Sequence, residues 1–330
     1  MPELNSDLKT WNELKEVCNW PSLLIGNGFS QNIWKSFGYQ SLFETASRGD
    51  GAQLKQEDVE LFDCLETRNF EAVLSALSIS KAVISTLQQD VQMINQREAS
   101  IRDALIKAVH TVHIPWREMD EKILNHVSAA LSSFASVYCT NYDLVTYWAM
   151  MKDPKTFRDY FWSGEFDVSD TEIWQKNATA VHFVHGGLHL YRRAGGQTVK
   201  RKASENQSLL ELFATPFDDA MPLFISEGTA KEKLASIYRS DYLSFVYARL
   251  SKDDAPMVIF GSSLSDTDKH IIDAVDAHKG RDVAVSIRTG GNIRQKKAEL
   301  IRALPNANLH FFDSSTHPLG RPELAIVPEV

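Results

Sequence analysis

Cysteine is scarce in this chain. It has three in 330 residues, Cys18, Cys64 and Cys139. The number is odd and no two stand in Cys-x-x-Cys spacing, so neither a disulfide framework nor a structural zinc module is signalled. Proline (11) and glycine (16) are too few for a collagen-like or low-complexity chain. Long apolar runs are missing too. Stretches such as residues 257–260 fall far short of a membrane span. The first residues, Met1-Pro2-Glu3-Leu4-Asn5, carry neither a basic segment nor an apolar one of the secretory kind. Positive charge is in deficit: 35 Lys and Arg stand against 43 Asp and Glu, a net charge of −8. That field disfavours direct nucleic-acid binding. What remains is ordinary for a globular protein, with 43% hydrophobic and 24% charged residues. The length is ample for a full core. The expectation is a reduced, cytoplasmic chain with no membrane partner.

The informative feature is a series of short apolar runs that each end in small or polar residues. They cover residues 22–25, 134–139, 181–184, 223–225, 257–260, 283–287 and 308–312. Runs of this kind suit strands buried on both faces of a parallel sheet. In such a sheet ligands bind beyond the carboxyl ends of the strands. The polar, glycine-rich residues gathered there therefore mark the expected site.

Helical spacing fills much of the rest. Leu65, Phe70, Val73, Leu74, Leu77, Ile84, Leu87 and Val91 recur at three and four, predicting helix over residues 62–96. The pattern continues over residues 100–113 and 121–133. Helices are also expected over residues 230–249 and 265–277, the latter with Asp266 and Asp268 in its first turn. Residues 153–179, with Trp162 and Trp174, and residues 192–219 read as loop-rich excursions. The tail from Thr316 reads as extended and laid on the surface. No strand signal interrupts residues 40–133, which is too long for a simple crossover. The reading is an α/β fold: a Rossmann-like, mostly parallel sheet with helices on both faces. Residues 1–39 and 134–330 form its nucleotide-binding domain, and residues 40–133 a large helical insertion.

Four motifs carry candidate chemistry. Gly26-Asn27-Gly28-Phe29-Ser30 ends a strand and opens a helix, a geometry that lets backbone N–H groups approach a pyrophosphate. The dehydrogenase pattern would need glycine at position 31, which is Gln31, and no Walker-type lysine follows. Thr140-Asn141-Tyr142-Asp143 delivers an amide and a carboxylate two residues apart. Asn141 can hold a ribose hydroxyl or a water, and Asp143 can cap the next helix. In His182-Phe183-Val184-His185-Gly186-Gly187-Leu188-His189, His185 ends the strand before two glycines and suits general-base work. His182 and His185 point to opposite faces of a strand and no HExxH pattern is present, so no metal is expected and His182 and His189 read as packed side chains. Gly261-Ser262-Ser263-Leu264 is a second strand-to-helix turn rich in small donors. Cys139 reads as a packed thiol.

In this order the motifs resemble the sirtuin superfamily. Gly26-Asn27-Gly28-Phe29-Ser30 is similar to its GAG-x-S nucleotide loop. Thr140-Asn141-Tyr142-Asp143 is similar to its TxNxD motif, His185-Gly186 to its HG, and Gly261-Ser262-Ser263-Leu264 to its GTSL loop. The resemblance spans residues 22–290. It is nearer to the bacterial sirtuin-like branch that hydrolyses NAD+ in anti-phage defence, through Ile259-Phe260-Gly261-Ser262-Ser263-Leu264-Ser265-Asp266-Thr267-Asp268. The chain departs from deacylating sirtuins. It has no cysteine after Cys139, hence no four-cysteine zinc module. Ser36-Phe37-Gly38-Tyr39-Gln40 stands where their GIPDFR segment would be, and Asn27 replaces the usual alanine.

The resemblance implies an NAD+ glycohydrolase with NAD+ as substrate and no metal, acting as a regulated NAD-depleting effector in abortive infection. Asn141 and His185 are the implied catalytic residues. Gly26, Asn27, Gly28, Phe29, Ser30, Thr140, Asp143, Gly261, Ser262 and Ser263 are the implied NAD-binding residues. ADP-ribosyl transfer, deacylation and non-catalytic nucleotide sensing are the alternatives. Because unrestrained NAD+ hydrolysis is toxic, a regulatory partner or homo-oligomer is expected, with the helical insertion as its surface.

Overall fold

The computed structural model describes residues 7–38, 41–48, 54–169, 177–193, 195–203, 208–215, 217 and 220–327. Trp174, Tyr39, Gln40 and Pro328 lie outside them. Among the described residues ten strands form two sheets. The main sheet has seven strands: β1 (Ser22–Ile25), β2 (Ser136–Cys139), β3 (Phe157–Arg158), β4 (Thr179–Phe183), β8 (Met257–Phe260), β9 (Asp282–Ile287) and β10 (Asn308–Asp313). Their spatial order is β10-β9-β8-β1-β2-β4-β3. Every pairing in it is parallel. All residues of β1, β4 and β8 are buried, so both faces of the sheet are covered. That is why these strands read as unbroken apolar runs.

A second, antiparallel sheet has the order β6-β5-β7, with β5 (Gly186–Arg192), β6 (Thr198–Lys200) and β7 (Met221–Phe224). It corrects two expectations. The run at residues 223–225 belongs to this small sheet, not to the parallel one. The excursion beginning at residue 192 opens with a hairpin whose turn holds Gly195-Gly196, a turn signal that favours tight chain reversal.

Thirteen helices occur among the described residues. The first is α1 (Trp11–Lys15), and α2 (Asn27–Ile33) follows β1 directly. Between α2 and β2 come α3 (Leu42–Arg48), α4 (Gln56–Cys64), α5 (Phe70–Thr86), α6 (Gln92–Val112) and α7 (Glu121–Leu131). The single helix expected over residues 62–96 is thus three pieces. Asn69 caps α5 by accepting from the Glu71 N–H at 2.9 Å, and Asp90 accepts from the Gln92 N–H at 2.8 Å. Glu66 and Gln88, at φ of 49° and 55°, turn the chain between the pieces. Beyond β2 come α8 (Val145–Met150) and α9 (Leu209–Phe213), then α10 (Ala230–Tyr238) and α11 (Asp241–Lys252). Ser240 separates these last two, its hydroxyl accepting from the Leu243 N–H at 3.2 Å. A 3₁₀ turn, Asp266–Asp268, leads into α12 (Lys269–Asp276), and α13 (Ile293–Ala303) precedes β10. The tail is not laid on the surface. It makes two 3₁₀ turns that bury His317, Leu319 and Leu324.

Strand β1 is the pivot of the topology. The chain leaves it for β2, β3 and β4 on one side, then returns to β8, β9 and β10 on the other. A parallel sheet that reverses its winding this way opens a crevice outside the carboxyl ends of the strands beside the reversal. Here those ends are Ile25, Cys139 and Phe260.

Candidate functional site

A cleft of about 300 Å³ lies at that crevice, within the range of small-molecule sites. Ten of the twelve predicted site residues line it: Gly26, Asn27, Gly28, Thr140, Asn141, Asp143, His185, Gly261, Ser262 and Ser263. Phe29 and Ser30 are not on its wall. Phe29 is fully buried in the core, and Ser30 sits behind Asn141 and Asp143.

The two glycine loops form one wall, and they pack on each other. The Gly26 N–H donates to the Phe260 carbonyl at 2.9 Å, and the Gly28 N–H to the Gly261 carbonyl at 2.7 Å. A Cβ on Gly28 would stand 2.8 Å from the Gly261 oxygen. Gly261 itself has φ +69°, and a Cβ there would stand 2.4 Å from the Phe29 nitrogen. These glycines are required by backbone meeting backbone. The expected use of these glycines is a close approach of backbone to a phosphate. The structure shows that their first use is to seat one loop against the other. Asn27 stitches the same wall to the chain beyond α2, its Nδ2 donating to the Phe37 carbonyl at 2.8 Å.

Asn141 follows the end of β2 and is 5% exposed. Its Nδ2 donates to the Gly26 carbonyl at 3.1 Å and to Ser30 Oγ at 2.8 Å. A carbonyl only accepts, so this contact fixes which end of the amide is nitrogen. The other end, Oδ1, is buried with no hydrogen-bond partner. A buried acceptor left unpaired is uncommon and costly, and it points to a donor from a ligand or water. Ser226 Oγ, on the same cleft, is also buried and unpartnered.

Asp143 supports this arrangement from behind. Its Oδ2 accepts from Ser30 Oγ at 2.6 Å, and its Oδ1 accepts at 2.9 Å from the N–H of Val145, the first residue of α8, although the N-cap position itself is Leu144. Burial raises its pKa above the usual carboxylate value, against the lowering effect of these hydrogen bonds. Thr140 closes the strand end, with its hydroxyl donating to the Ile25 carbonyl at 3.1 Å.

His185 sits in the two-residue link between β4 and β5 and is 3% exposed. Its neighbour Val184 donates from its N–H to the Cys139 carbonyl, and the Ile225 N–H donates to the His185 carbonyl at 2.7 Å. Gly186, at φ +71°, makes the turn, and a Cβ there would meet the Leu223 oxygen at 2.2 Å. The imidazole is therefore clamped from both sides of its backbone. Its Nε2 lies 2.8 Å from the Nε2 of His270, so one imidazole donates to the other. Burial lowers the His185 pKa well below the usual imidazole value, helped by the charge of Lys233 and by His270. Asp268 and the Thr140 backbone act in the opposite sense. The ring is neutral at neutral pH, as a proton acceptor must be.

Lys233, Asp268 and His270 were not singled out as site residues from the sequence. Lys233 Nζ and Asp268 Oδ1 pair at 2.8 Å, and both line the cleft. Burial acts to raise the Asp268 pKa, but Lys233 and the imidazoles outweigh it and the net shift is downward. Burial lowers His270 to about 4. The signal for Asp268 and His270 was present, since both follow the Gly261 turn. Lys233 lies on α10 with no local motif to mark it. Glu227, whose carboxylate accepts from the Phe43 N–H at 3.0 Å, also lines the cleft, as do Tyr142 and Ile225.

The other histidines of the β4–β5 segment go elsewhere. His182 is stacked on Tyr138 and Tyr160, and His189 on Tyr147. Cys139 is a packed thiol, its pKa pushed up to about 12 by burial and by Asp143. A larger groove, about 870 Å³, lies between α5, the β5–β6 turn and α10, and Asn141 and His185 do not line it.

The fold and the cleft define a Rossmann-like α/β protein with a polar site at the switch point of its parallel sheet. Over residues 23–319 the chain matches the family described as Domain of unknown function (DUF4917), and it belongs to that family. No curated protein matches it.

Proposed function

We propose that this cleft cleaves the bond between nicotinamide and ribose in NAD+, giving nicotinamide and ADP-ribose. The observation that carries the reading is the unpartnered Asn141 Oδ1, buried in the same cleft as the neutral imidazole of His185. An acceptor held in place by Gly26 and Ser30 suits a ribose hydroxyl or an attacking water. The order of the four motifs, which resembles that of the sirtuin superfamily, supports the same substrate.

The chemistry makes modest demands. The C1′–N bond breaks with its electron pair on nicotinamide, which leaves as a neutral base. Positive charge builds on the ribose, water oxygen bonds to C1′, and one proton of that water is released. The site must hold the dinucleotide, orient the water and accept a proton. In this reading Asn141 orients, His185 accepts, and Ser262, Ser263 and Lys233 face the phosphates and riboses. The carboxylates of Glu227 and Asp268, on the same cleft, are placed to steady positive charge.

Incubation of the purified protein with NAD+ labelled in the adenosine half tests this. Equal amounts of nicotinamide and labelled ADP-ribose are expected. Label retained on protein would replace the reading with ADP-ribosyl transfer. NAD+ bound and recovered intact would replace it with nucleotide sensing.

A further inference from the structure

We propose that His185, Asp268 and His270 form a binding site for a divalent transition-metal ion, of the zinc class, at the edge of the cleft. One imidazole comes from the β4–β5 link. The carboxylate and the other imidazole come from the start of α12, 83 and 85 residues later in the chain. Their ligand atoms all lie within 4.8 Å of one another. The two Nε2 atoms face each other at 2.8 Å. A tetrahedral zinc ion, with bonds of about 2.0–2.1 Å, needs such nitrogens about 3.3 Å apart. An opening of about half an ångström would admit it.

The surroundings fit. Asp268 gives one oxygen to Lys233 at 2.8 Å, which leaves Oδ2 for an ion. A carboxylate ligand steadied by an outside donor is the usual arrangement around bound metals. His185 is steadied by its clamped backbone. His270 is steadied through its own carbonyl, which accepts from the Tyr247 hydroxyl at 3.0 Å. Two imidazoles and one carboxylate suit zinc or iron(II), and His185 and Asp268 both border the cleft, leaving a side open to a small ligand.

The site stands apart from the glycohydrolase reading. One consequence rests on that reading: an ion on His185 Nε2 occupies the lone pair that would accept the proton, so zinc should inhibit NAD+ cleavage.

Equilibrium dialysis of chelator-treated protein against zinc chloride, with the bound metal counted by mass spectrometry, tests the site without NAD+. One equivalent per chain is expected in the wild type. Binding should weaken roughly tenfold or more in His270→Gln and in Asp268→Asn. Unchanged melting temperatures would show that these variants fold. Cobalt(II) in place of zinc should give visible bands without thiolate charge transfer. No bound zinc, or equal binding by wild type and both ligand variants, overturns the proposal. If zinc binds as expected and the protein leaves NAD+ intact, the functional reading fails while the metal site stands.

Discussion

At the scale of single residues, the site is organised by what each polar atom lacks or already has. Asn141 Nδ2 is fully engaged and Oδ1 is not, so one end of the amide is structural and the other is offered to the cleft. Asp143, which could pass for a catalytic carboxylate, has both oxygens committed to Ser30 and Val145. Asp143→Asn would disturb the Ser30 contact. We expect it to lower stability by about 1–3 kcal/mol, read as a shift of the urea midpoint. An unchanged midpoint would contradict the supporting role. Motif reading led to Asn141 and His185, and both line one cleft, because strand ends in a parallel sheet converge. It did not find Lys233, because its proximity is made by the packing of α10 and leaves no local trace.

At the scale of elements, the two glycine turns act as one unit. Gly26-Asn27-Gly28 and Gly261 interlock, and Gly261 combines a left-handed φ with no space for a Cβ. Gly261→Ala should cost roughly 2 kcal/mol or more and also reduce turnover, since it displaces the start of α2. Retention of both stability and turnover would refute the interlock. Six of the seven parallel strands were legible because burial on both faces writes a continuous apolar run, whereas β3, only two residues long, lies in the stretch read as a loop-rich excursion. The strands β5 and β6 were missed because theirs alternates with polar residues such as His189 and Thr198. Helix boundaries were blurred for a different reason. Apolar spacing carries across the break at Leu87 while the stop signals, Gln88 and Asp90, are single residues. Ser240 marks a similar break. Ser240→Ala should lower stability by about 1 kcal/mol, measured by thermal melting, and no change would show that α11 needs no cap.

At the scale of the whole molecule, buried neutral histidines tie stability to pH. Burial lowers His113 to about 4 and His182 and His317 to about 3, and it moves His189 well below its usual value. Unfolded, each would titrate near about 6.5. The unfolded state therefore binds more protons below that pH. The stability these four contribute is complete above about 6.5 and falls as pH drops toward the folded values, by up to about 1.4 kcal/mol per unit for each. Glu71, raised to about 7 by burial against the pull of Arg192 and Arg239, works the other way between about 4.5 and 7, as do Asp143 and Glu227, whose carboxyls burial also raises, while His185 and His270 add to the four. The urea midpoint should be nearly level from pH 7 to 8 and fall steeply below pH 6. A midpoint that rises on acidification would contradict the burial of these rings. No helix among the described residues is long and apolar enough to cross a membrane. The helical stretch α3–α7, where a regulatory surface was expected, exposes Ile79, Val83 and Leu87 along one face of α5.

The central claim is that Asn141 and His185 act together on one dinucleotide. Nicotinamide release from NAD+, timed for the wild type, Asn141→Ala and His185→Ala at matched melting temperature, tests it most directly. Measurable turnover is expected in the wild type, with a loss of roughly 100-fold or more in each variant. Release at the wild-type rate by both variants would contradict it.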